Sequence, residues 1–346
     1  WDRIAVPGAF DACPEYVGRR GTALYQTTIR TTPGRCGRLH FHGVGMWARI
    51  LVDGDELGTV SLPYSDLWFD VLPSLVAERV LTVIIDNRFD RNRVPLQEQF
   101  FDFYAYGGIY RSVEWHEVPE LSIDRVFVET IDPHAGTIRA FVRLHGDVPA
   151  AVDLDVSVDG GAPQQFPTMP VTSDGVAFLD LRIPDATLWS PSRPILHTLH
   201  VSLEGDDTTE RFGLRTVTVE SGAVLINGEA VKLLGYCRHE AHAQFGPALP
   251  LQQLVHDLQL LRRMGCNYVR GSHYPQDQRF LDLFDELGFL VFEEALGWGQ
   301  TADHFTDPAF CAAQIRQAQL MVHKSRNHPS VIMWGFLNEG ASHTVE

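Results

Sequence analysis

The chain has 346 residues, a length that allows two or three domains of ordinary size. Hydrophobic residues make up 45% and charged residues 21%, the composition of a globular protein with sizeable cores. The net charge of −16 argues against nucleic acids and anionic membranes as partners, because both bind clustered lysines and arginines. No apolar run of about 18 residues occurs, so the sequence predicts no membrane-spanning helix.

The cysteines are five in number, widely scattered and without CxxC spacing: Cys13, Cys36, Cys237, Cys266 and Cys311. This pattern predicts reduced thiols and favours a reducing compartment such as the cytoplasm. The sequence also contains no Asn-x-Ser/Thr sequon, which points the same way. Because the chain begins at Trp1, in what reads as the middle of a domain, we expect it to be incomplete at its N-terminus.

The first segment, residues 1–119, contains short β-rich runs separated by Gly, Pro and Asp turns. The runs are Leu24–Arg30, Arg38–Phe41, Ala48–Val52 and Leu81–Asp86. Their spacing, without helical periodicity, predicts a β-sandwich or jelly roll. A hinge to the next unit is predicted near Pro119.

The second segment, residues 120–217, is also rich in β-strand patterns with turns at regular intervals. Its predicted strands are Ile123–Thr130, Gly136–Leu144, Val152–Val158, Ala177–Ile183 and Thr198–Leu203. A stretch of about 100 residues with this pattern is typical of a small immunoglobulin-like sandwich.

From residue 218 onward, strand patterns alternate with helical ones. The predicted elements are strands at Val231–Gly235, Asn267–Arg270, Phe289–Phe292 and Val331–Leu337, and helices at Leu251–Met264, Asp277–Leu287 and Pro308–Arg326. Alternating β and α segments predict a parallel sheet, and the apolar fourth strand predicts burial on both faces. A (β/α)₈ barrel needs roughly 250 residues, so residues 218–346 would form about its first half.

Polar side chains follow each of the four predicted strands. They occur in residues 237–240, residues 270–275, Glu293 and Glu294, and Asn338 and Glu339. In barrel enzymes the catalytic groups lie at these carboxyl ends. Carboxyl groups in such a site suit glycoside hydrolysis, in which one protonates the departing oxygen and another attacks the sugar or activates water.

Residues 327–339, Asn-His-Pro-Ser-Val-Ile-Met-Trp-Gly-Phe-Leu-Asn-Glu, closely resemble the acid/base segment of glycoside hydrolase family 2. This is the family of β-galactosidases, β-glucuronidases and β-mannosidases. Residues 103–113, 227–240 and 270–275 are similar to further segments of the same family. The resemblance covers nearly the whole chain and implies a jelly roll, an immunoglobulin-like sandwich and the first half of a catalytic (β/α)₈ TIM barrel.

The resemblance also implies roles for individual residues. Glu339 would be the general acid/base, Asn338 would bind the sugar's 2-hydroxyl, and Arg270 would orient the nucleophile. The sugar subsite would be lined by His239, His273, Glu294 and Asp102. The strand-end pattern itself predicts Trp298 and Trp334 nearby for an apolar ring face. The implied activity is that of a retaining exo-β-glycosidase, closest to β-glucuronidases, with β-galactosidase, β-galacturonidase and β-mannosidase as alternatives.

The nucleophilic glutamate would belong to a later strand than the chain contains, so the isolated chain is expected to be inactive. No cofactor and no metal-ligand set is expected. The run His239-Glu240-Ala241-His242 is one residue short of the HExxH zinc motif. The full-length form is expected to form homo-oligomers.

Structural roles remain open for the same residues. Glu339 could be an ordinary carboxylate at the barrel rim, and Arg270 could simply pair with Glu293 or Glu294. His273 could bond a backbone carbonyl, and Asp102 could cap a turn. Glu240 is predicted to face solvent or to pair with Arg238.

Two other functions remain open. The chain could be a non-catalytic carbohydrate-binding fragment, since two sandwiches and half a barrel can bind a glycan without cleaving it. Alternatively, another polypeptide could complete the barrel, because half a barrel leaves unpaired strand edges.

Overall fold

The computed structural model describes residues 2–96 and 103–341, which form two units of paired antiparallel sheets, a small hairpin sheet and a parallel sheet with helices. This β-rich, multidomain arrangement agrees with the predicted fold class at the level of its architecture. The predicted residue Asp102 lies outside the described residues.

The described part of the first unit contains nine strands. They are β1 (Gly8–Ala9), β2 (Thr22–Arg30), β3 (Cys36–Phe41), β4 (Trp47–Val52), β5 (Asp55–Val60), β6 (Leu67–Val71), β7 (Glu78–Asp86), β8 (Gly108–Ile109) and β9 (Val113–Val118). Two sheets, in the orders β2-β7-β4-β5 and β6-β3-β9, share one apolar core. Along β4 every second residue is buried, namely Ala48, Ile50 and Val52, as expected for a strand with one face on a core.

The second unit contains seven strands. They are β10 (Leu121–Asp132), β11 (Thr137–Gly146), β12 (Ala151–Val158), β13 (Gln164–Pro170), β14 (Val176–Arg182), β15 (His197–Leu203) and β16 (Asp206–Phe212). The sheets β10-β11-β14 and β13-β12-β15-β16 enclose a second core. Strands β13, which is mostly exposed, and β16, which is mostly polar, were not predicted from the sequence.

A three-stranded antiparallel hairpin sheet follows, made of β17 (Val217–Glu220), β18 (Ala223–Ile226) and β19 (Glu229–Val231). The prediction of a first barrel strand at Val231–Gly235 was wrong, because the first parallel strand is β20 (Gly235–Arg238). The apolar run that suggested the earlier position instead packs on a core formed by Trp189, Ile226 and Leu290.

The parallel sheet has the order β20-β21-β22-β23, with β21 (Tyr268–Gly271), β22 (Leu290–Glu294) and β23 (Val331–Gly335). The helices are α1 (Leu251–Arg263), α2 (Gln278–Leu287), α3 (Ala302–Phe305) and α4 (Pro308–Ser325). The Asp277 carboxylate accepts from the amide of Arg279 and caps the start of α2. Gly288 ends the same helix in the left-handed conformation, with φ of 72°.

The fourth strand of this sheet is less buried than its sequence predicts. Trp334 on β23 is 39% exposed and Phe336 beyond it is 61% exposed. The prediction of burial on both faces was therefore wrong. The reason is the position of β23 at the end of the sheet, where no further strand pairs with it within residues 2–96 and 103–341.

Helix α4 and the loop after it join the parallel sheet to both earlier units. The Gln317 amide on α4 donates to the Pro63 carbonyl at 2.7 Å, and Lys324 forms an ion pair with Asp66. The Asn327 amide donates to the Val126 carbonyl on β10 at 2.8 Å. These contacts fix the carboxyl edge of the parallel sheet relative to the first unit.

All five cysteines lie in the described part of the chain and are free thiols, as predicted. None of the four helices described has the length and apolarity needed to span a bilayer.

Candidate active site

Three strand ends meet around the side chain of Arg270 on β21. Its Nε and Nη2 atoms donate to Oε2 of Glu294 on β22, at 3.0 and 2.6 Å. Nη2 also donates to Oδ1 of Asn338, beyond β23, at 2.6 Å. Because the carboxyl ends of parallel strands lie at one edge of a sheet, groups far apart in sequence form one network here.

Two imidazoles and an aromatic ring extend this network. His273 Nδ1 lies 2.8 Å from Oε1 of Glu294, so both oxygens of that carboxylate are engaged. A carboxylate only accepts, so Nδ1 of His273 carries a proton and donates to Glu294. The His239 ring meets the His273 ring edge-on, with 5.2 Å between centroids, and Phe103 lies 5.3 Å from His239.

Asn338 and Glu339 lie in a segment that pairs with the chain after β22. The Asn338 amide N–H donates to the Gly297 carbonyl at 2.7 Å, and that of Gly299 donates to the Asn338 carbonyl at 3.0 Å. This pairing places Trp298 opposite Asn338. Trp298 is half-buried and packs near Met46 of the first unit.

The backbone at Glu339 is left-handed, with φ of 51°, a conformation uncommon for residues other than glycine. On a regular strand, the side chains of Asn338 and Glu339 would point to opposite faces. The left-handed conformation at Glu339 breaks this regular alternation. Glu339 is exposed, whereas the Glu294 side chain is 0% exposed.

The structural alternatives for two site residues now have an outcome. Arg270 pairs with Glu294, as one alternative predicted, and in addition holds Asn338. His273 bonds the Glu294 carboxylate, so the alternative of a backbone carbonyl partner was wrong. Glu293 points to the other face of β22, where burial raises its pKa to about 7.

The prediction for Glu240 was wrong. Its carboxylate is buried and accepts from Arg111 Nη2 of the first unit at 2.8 Å and from the Asp277 amide at 2.6 Å. Arg238, its predicted partner, pairs instead with Asp257 at 3.2 Å. Sequence reasoning missed this contact because Arg111 lies 129 positions away, and no local pattern links the two residues.

Metal-ligand spacing occurs away from this network. In the described ranges, the groups of side chains spaced to hold a cation are His40 with His42 and Asp66, His40 with Glu114 and His116, and Asp282 with Asp285 and His328. None of these groups includes a residue bonded to Arg270.

Comparison with known proteins places these features in a family. Residues 217–345 match the model of the family 2 glycosyl hydrolase TIM barrel domain. A β-galactosidase of Thermoanaerobacter pseudethanolicus is 29% identical over 86% of this chain and 41% of its own length. A β-glucuronidase of Chlorocebus aethiops is 30% identical over 72% of this chain and 39% of its own length.

The solved structures include a similar family 2 β-galacturonidase from Eisenbergiella tayi, bound to galacturonate. It superposes with a TM-score of 0.86 and 30% identity, covering 98% of this chain and 61% of that protein. The chain thus spans about two fifths of the length of the curated relatives it matches.

The parallel sheet and the matched domain define a chain that carries a TIM barrel domain of the glycosyl hydrolase type. More particularly, the chain belongs to glycoside hydrolase family 2. This confirms the resemblance drawn from residues 327–339.

Proposed function

We propose that this chain carries the acid/base half of a retaining exo-β-glycosidase active site, with Glu339 as the general acid/base. The observation that carries the proposal is the network in which Arg270 joins Glu294 to Asn338, the residue directly before Glu339. The names of the relatives support hydrolysis of a terminal β-linked sugar.

The proposed mechanism assigns Glu339 two proton transfers. Its protonated carboxyl gives a proton to the departing glycosidic oxygen, and the resulting carboxylate later takes a proton from the attacking water. The exposed position of Glu339 suits this role, because both the leaving group and water must reach it.

Asn338 would bind the sugar through its amide nitrogen. A guanidinium only donates, so the contact with Arg270 Nη2 fixes Oδ1 toward Arg270 and leaves Nδ2 to donate to a hydroxyl. Arg270 is therefore a positioning residue for Asn338. Its proposed role toward a nucleophile would be additional.

Glu294 was expected to line the sugar subsite, and we propose instead that it supports the site from behind without touching the sugar. Its side chain is 0% exposed and lies behind Arg270 and His273. His273 and His239 would bind sugar hydroxyls, and Trp298 would offer an apolar face to the ring. Asp102 would reach in from the first unit.

We propose three domains for the chain. Residues 1–119 would be a jelly-roll sugar-binding domain and residues 120–217 an immunoglobulin-like sandwich. Residues 218–346 would be the first four β/α units of a catalytic barrel. The two-sheet cores of the first two units and the parallel order β20-β21-β22-β23 support this division.

We take β-glucuronides as the first substrates to test, with β-galactosides, β-galacturonides and β-mannosides as alternatives within the family. The relatives' names divide among the first three of these sugars. No described residue distinguishes them.

A second candidate is a carbohydrate-binding chain that does not turn over its ligand. Double displacement needs a second carboxylate beside the acid/base. The other carboxylates at the described strand ends are engaged or buried: Glu240 pairs with Arg111, Glu294 pairs with Arg270, and Glu293 is buried behind β22. On this view a nucleophile from another segment would be required, and the chain alone would be inactive.

The test uses this chain and p-nitrophenyl glycosides of the four sugars. If the chain releases p-nitrophenol, Glu339→Gln should reduce the rate at least about 100-fold, the scale of general acid–base catalysis. The matched control is Glu286→Gln, an exposed glutamate on α2, which should keep full activity.

If there is no release, titration calorimetry with the free sugars should still detect binding that Asn338→Ala weakens. This result would support the binding chain. Unchanged release by Glu339→Gln would rule out the proposed acid/base.

A further inference from the structure

A second cluster of polar side chains lies on the outer face of the three-stranded sheet of the first unit. His40 on β3 pairs directly across from Glu114 on β9, and His116 lies two residues further along β9. The Trp68 ring on β6 stacks on His40, with 3.8 Å between centroids and 12° between planes. Neither the proposed glycosidase site nor its mechanism uses these residues.

The ligand atoms of this cluster have the spacing of a cation site. Glu114 Oε2 lies 3.6 Å from His40 Nδ1 and accepts a hydrogen bond from His116 Nε2 at 3.0 Å. An ion bound there would take the place of that proton. All three atoms lie within 4.8 Å of one another. A tetrahedral ion with bonds of about 2.1 Å holds its ligands about 3.4 Å apart, which lies between the first two distances.

The buried histidine is held in the tautomer that a metal ligand needs. His40 Nε2 bonds the Asp66 carboxylate, so the ring proton lies on Nε2 and the lone pair of Nδ1 faces Glu114. A carboxylate behind a ligating imidazole is the usual outer shell of a protein zinc site.

The Glu114 carboxylate, the second proposed ligand, lies beside the ring of His42. Lys324 Nζ lies 2.9 Å from His42 Nδ1, and an ammonium only donates, so the His42 ring proton lies on Nε2. That nitrogen lies 3.1 Å from Oε1 of Glu114 without forming a hydrogen bond, and Oε2 of Glu114 faces the two ligand nitrogens.

The positive side chains around the cluster pair with carboxylates other than Glu114. Lys324 and Arg125 both pair with Asp66, and Arg38 pairs with Asp70 and Asp124. Glu114 is therefore left to face the ligand nitrogens. The side chains of Glu114 and His116 are 46% and 41% exposed, so an ion can enter from solvent.

We propose that His40, Glu114 and His116 bind a divalent transition-metal ion, and that Zn²⁺ is the ion best suited to this ligand set. Two imidazole nitrogens and one carboxylate oxygen are zinc ligands, and three protein ligands leave a fourth position for water. The bound ion would tie β3 to β9 at the face where helix α4 contacts the first unit.

The test is equilibrium dialysis of this chain against ZnCl₂, with bound zinc counted per chain. His116→Gln should bind one ion fewer than the parent chain, and Glu114→Gln should do the same. Changes even to outer-shell groups commonly weaken binding about 10- to 100-fold, so loss of a ligand should weaken it by at least as much. Zinc held elsewhere, for example at thiols, would be common to all variants.

The matched control is His200→Gln, an exposed histidine of the second unit with one carboxylate partner at 3.2 Å. It should bind as many zinc ions as the parent chain. Zinc should also raise the melting temperature of the parent and control chains but not that of His116→Gln. Equal zinc binding by the parent chain, His116→Gln and Glu114→Gln would overturn the proposal.

Discussion

Two adjacent glutamates on β22 have opposite environments because neighbouring strand residues point to opposite faces. Glu294 points to the carboxyl-edge network and accepts from both Arg270 and His273. Glu293 points to the opposite face of the sheet, where it borders a cavity of about 10 Å³ that Ser325 and Gln276 also line. Two adjacent residues therefore differ in their surroundings: Glu294 is paired with Arg270 at the site, whereas Glu293 is buried on the opposite face, with no cation partner among the described residues.

At this scale the sequence predicts which residues lie near the site but not how each one acts. Reading strand ends brought Arg270, Glu294 and Asn338 together correctly, because parallel strands place their carboxyl ends at one edge. It could not assign Glu240, whose partner comes from another unit. It also could not predict the left-handed backbone at Glu339, because glutamate is not a residue type that favours this conformation.

The first prediction concerns pH and Glu293. Burial raises the pKa of Glu293 to about 7 from an ordinary value of 4.5. The folded chain then binds more protons than the unfolded chain between these pH values, so the unfolding free energy falls as pH rises through this window. Across this window the raised pKa of Glu293 lowers the unfolding free energy by about 3 kcal/mol in total. The loss is nearly complete by about pH 7.5.

Glu293→Gln should remove this contribution while keeping the shape of the side chain. Urea titrations of both chains at pH 5, 6, 7 and 8 measure the difference in unfolding free energy. We expect the variant to gain stability relative to the parent chain as pH rises, mainly between pH 5 and pH 7. A difference that does not change with pH would contradict the raised pKa.

Among the elements, prediction succeeded where apolar periodicity was strong. The strands that alternate against a two-sheet core, such as β4 and β12, were found within one or two residues. Strands β13 and β16 were missed because neither has an alternating apolar pattern of its own, and each pairs along the edge of its sheet with β12 or β15. The first barrel strand was misplaced because an apolar run nearby packs on Trp189 instead.

The second prediction concerns the ends of helices α1 and α2. Both are followed by a left-handed glycine, Gly265 with φ of 81° and Gly288 with φ of 72°. A Cβ atom on Gly288 would lie 2.2 Å from the Pro191 carbonyl oxygen, whereas one on Gly265 would meet nothing within 4 Å. Gly265→Ala should therefore cost only the backbone term of about 1–2 kcal/mol.

Gly288→Ala should cost about 2 kcal/mol more than Gly265→Ala, because the Pro191 segment must also shift. Thermal or urea denaturation of the two variants measures the difference. Equal destabilisation would mean that the contact of α2 with the second unit yields at no cost.

On the scale of the whole molecule, the buried ion pair of Arg111 and Glu240 links the first unit to the segment after β20. Arg111 donates to Glu240 at 2.8 Å, to the Pro275 carbonyl at 2.6 Å and to the Tyr64 carbonyl at 3.1 Å. Both charged side chains are almost fully buried. The sequence did not predict such contacts between distant segments. It did predict the family and the order of two β-rich units followed by a parallel α/β unit.

The third prediction concerns this link. Arg111→Met should cost about 3–5 kcal/mol, since it leaves the Glu240 carboxylate buried without its cation. Adding Glu240→Gln should restore part of that loss, because a neutral side chain costs less to bury. Denaturation of the single and double variants gives the coupling.

The control for this prediction is Arg211→Met. Arg211 also joins two units, by pairing with Asp282 and Glu286 on α2, but all three side chains are about 40% exposed or more. Its loss should cost at most about 1 kcal/mol. A comparable loss in both arginine variants would contradict the special role of the buried pair.

The face of α4 that contacts the first unit has a practical consequence for recombinant work. Gln317 and Lys324, seven positions apart on one side of that helix, find their partners at Pro63 and Asp66. A shortened product beginning near residue 217 would lack these partners. Gln317, Lys324 and the buried Met321 between them would then be exposed to water. We expect such a product to precipitate unless residues 1–216 are co-expressed. The start of the matched barrel domain, at residue 217, is therefore a poor place to divide the chain.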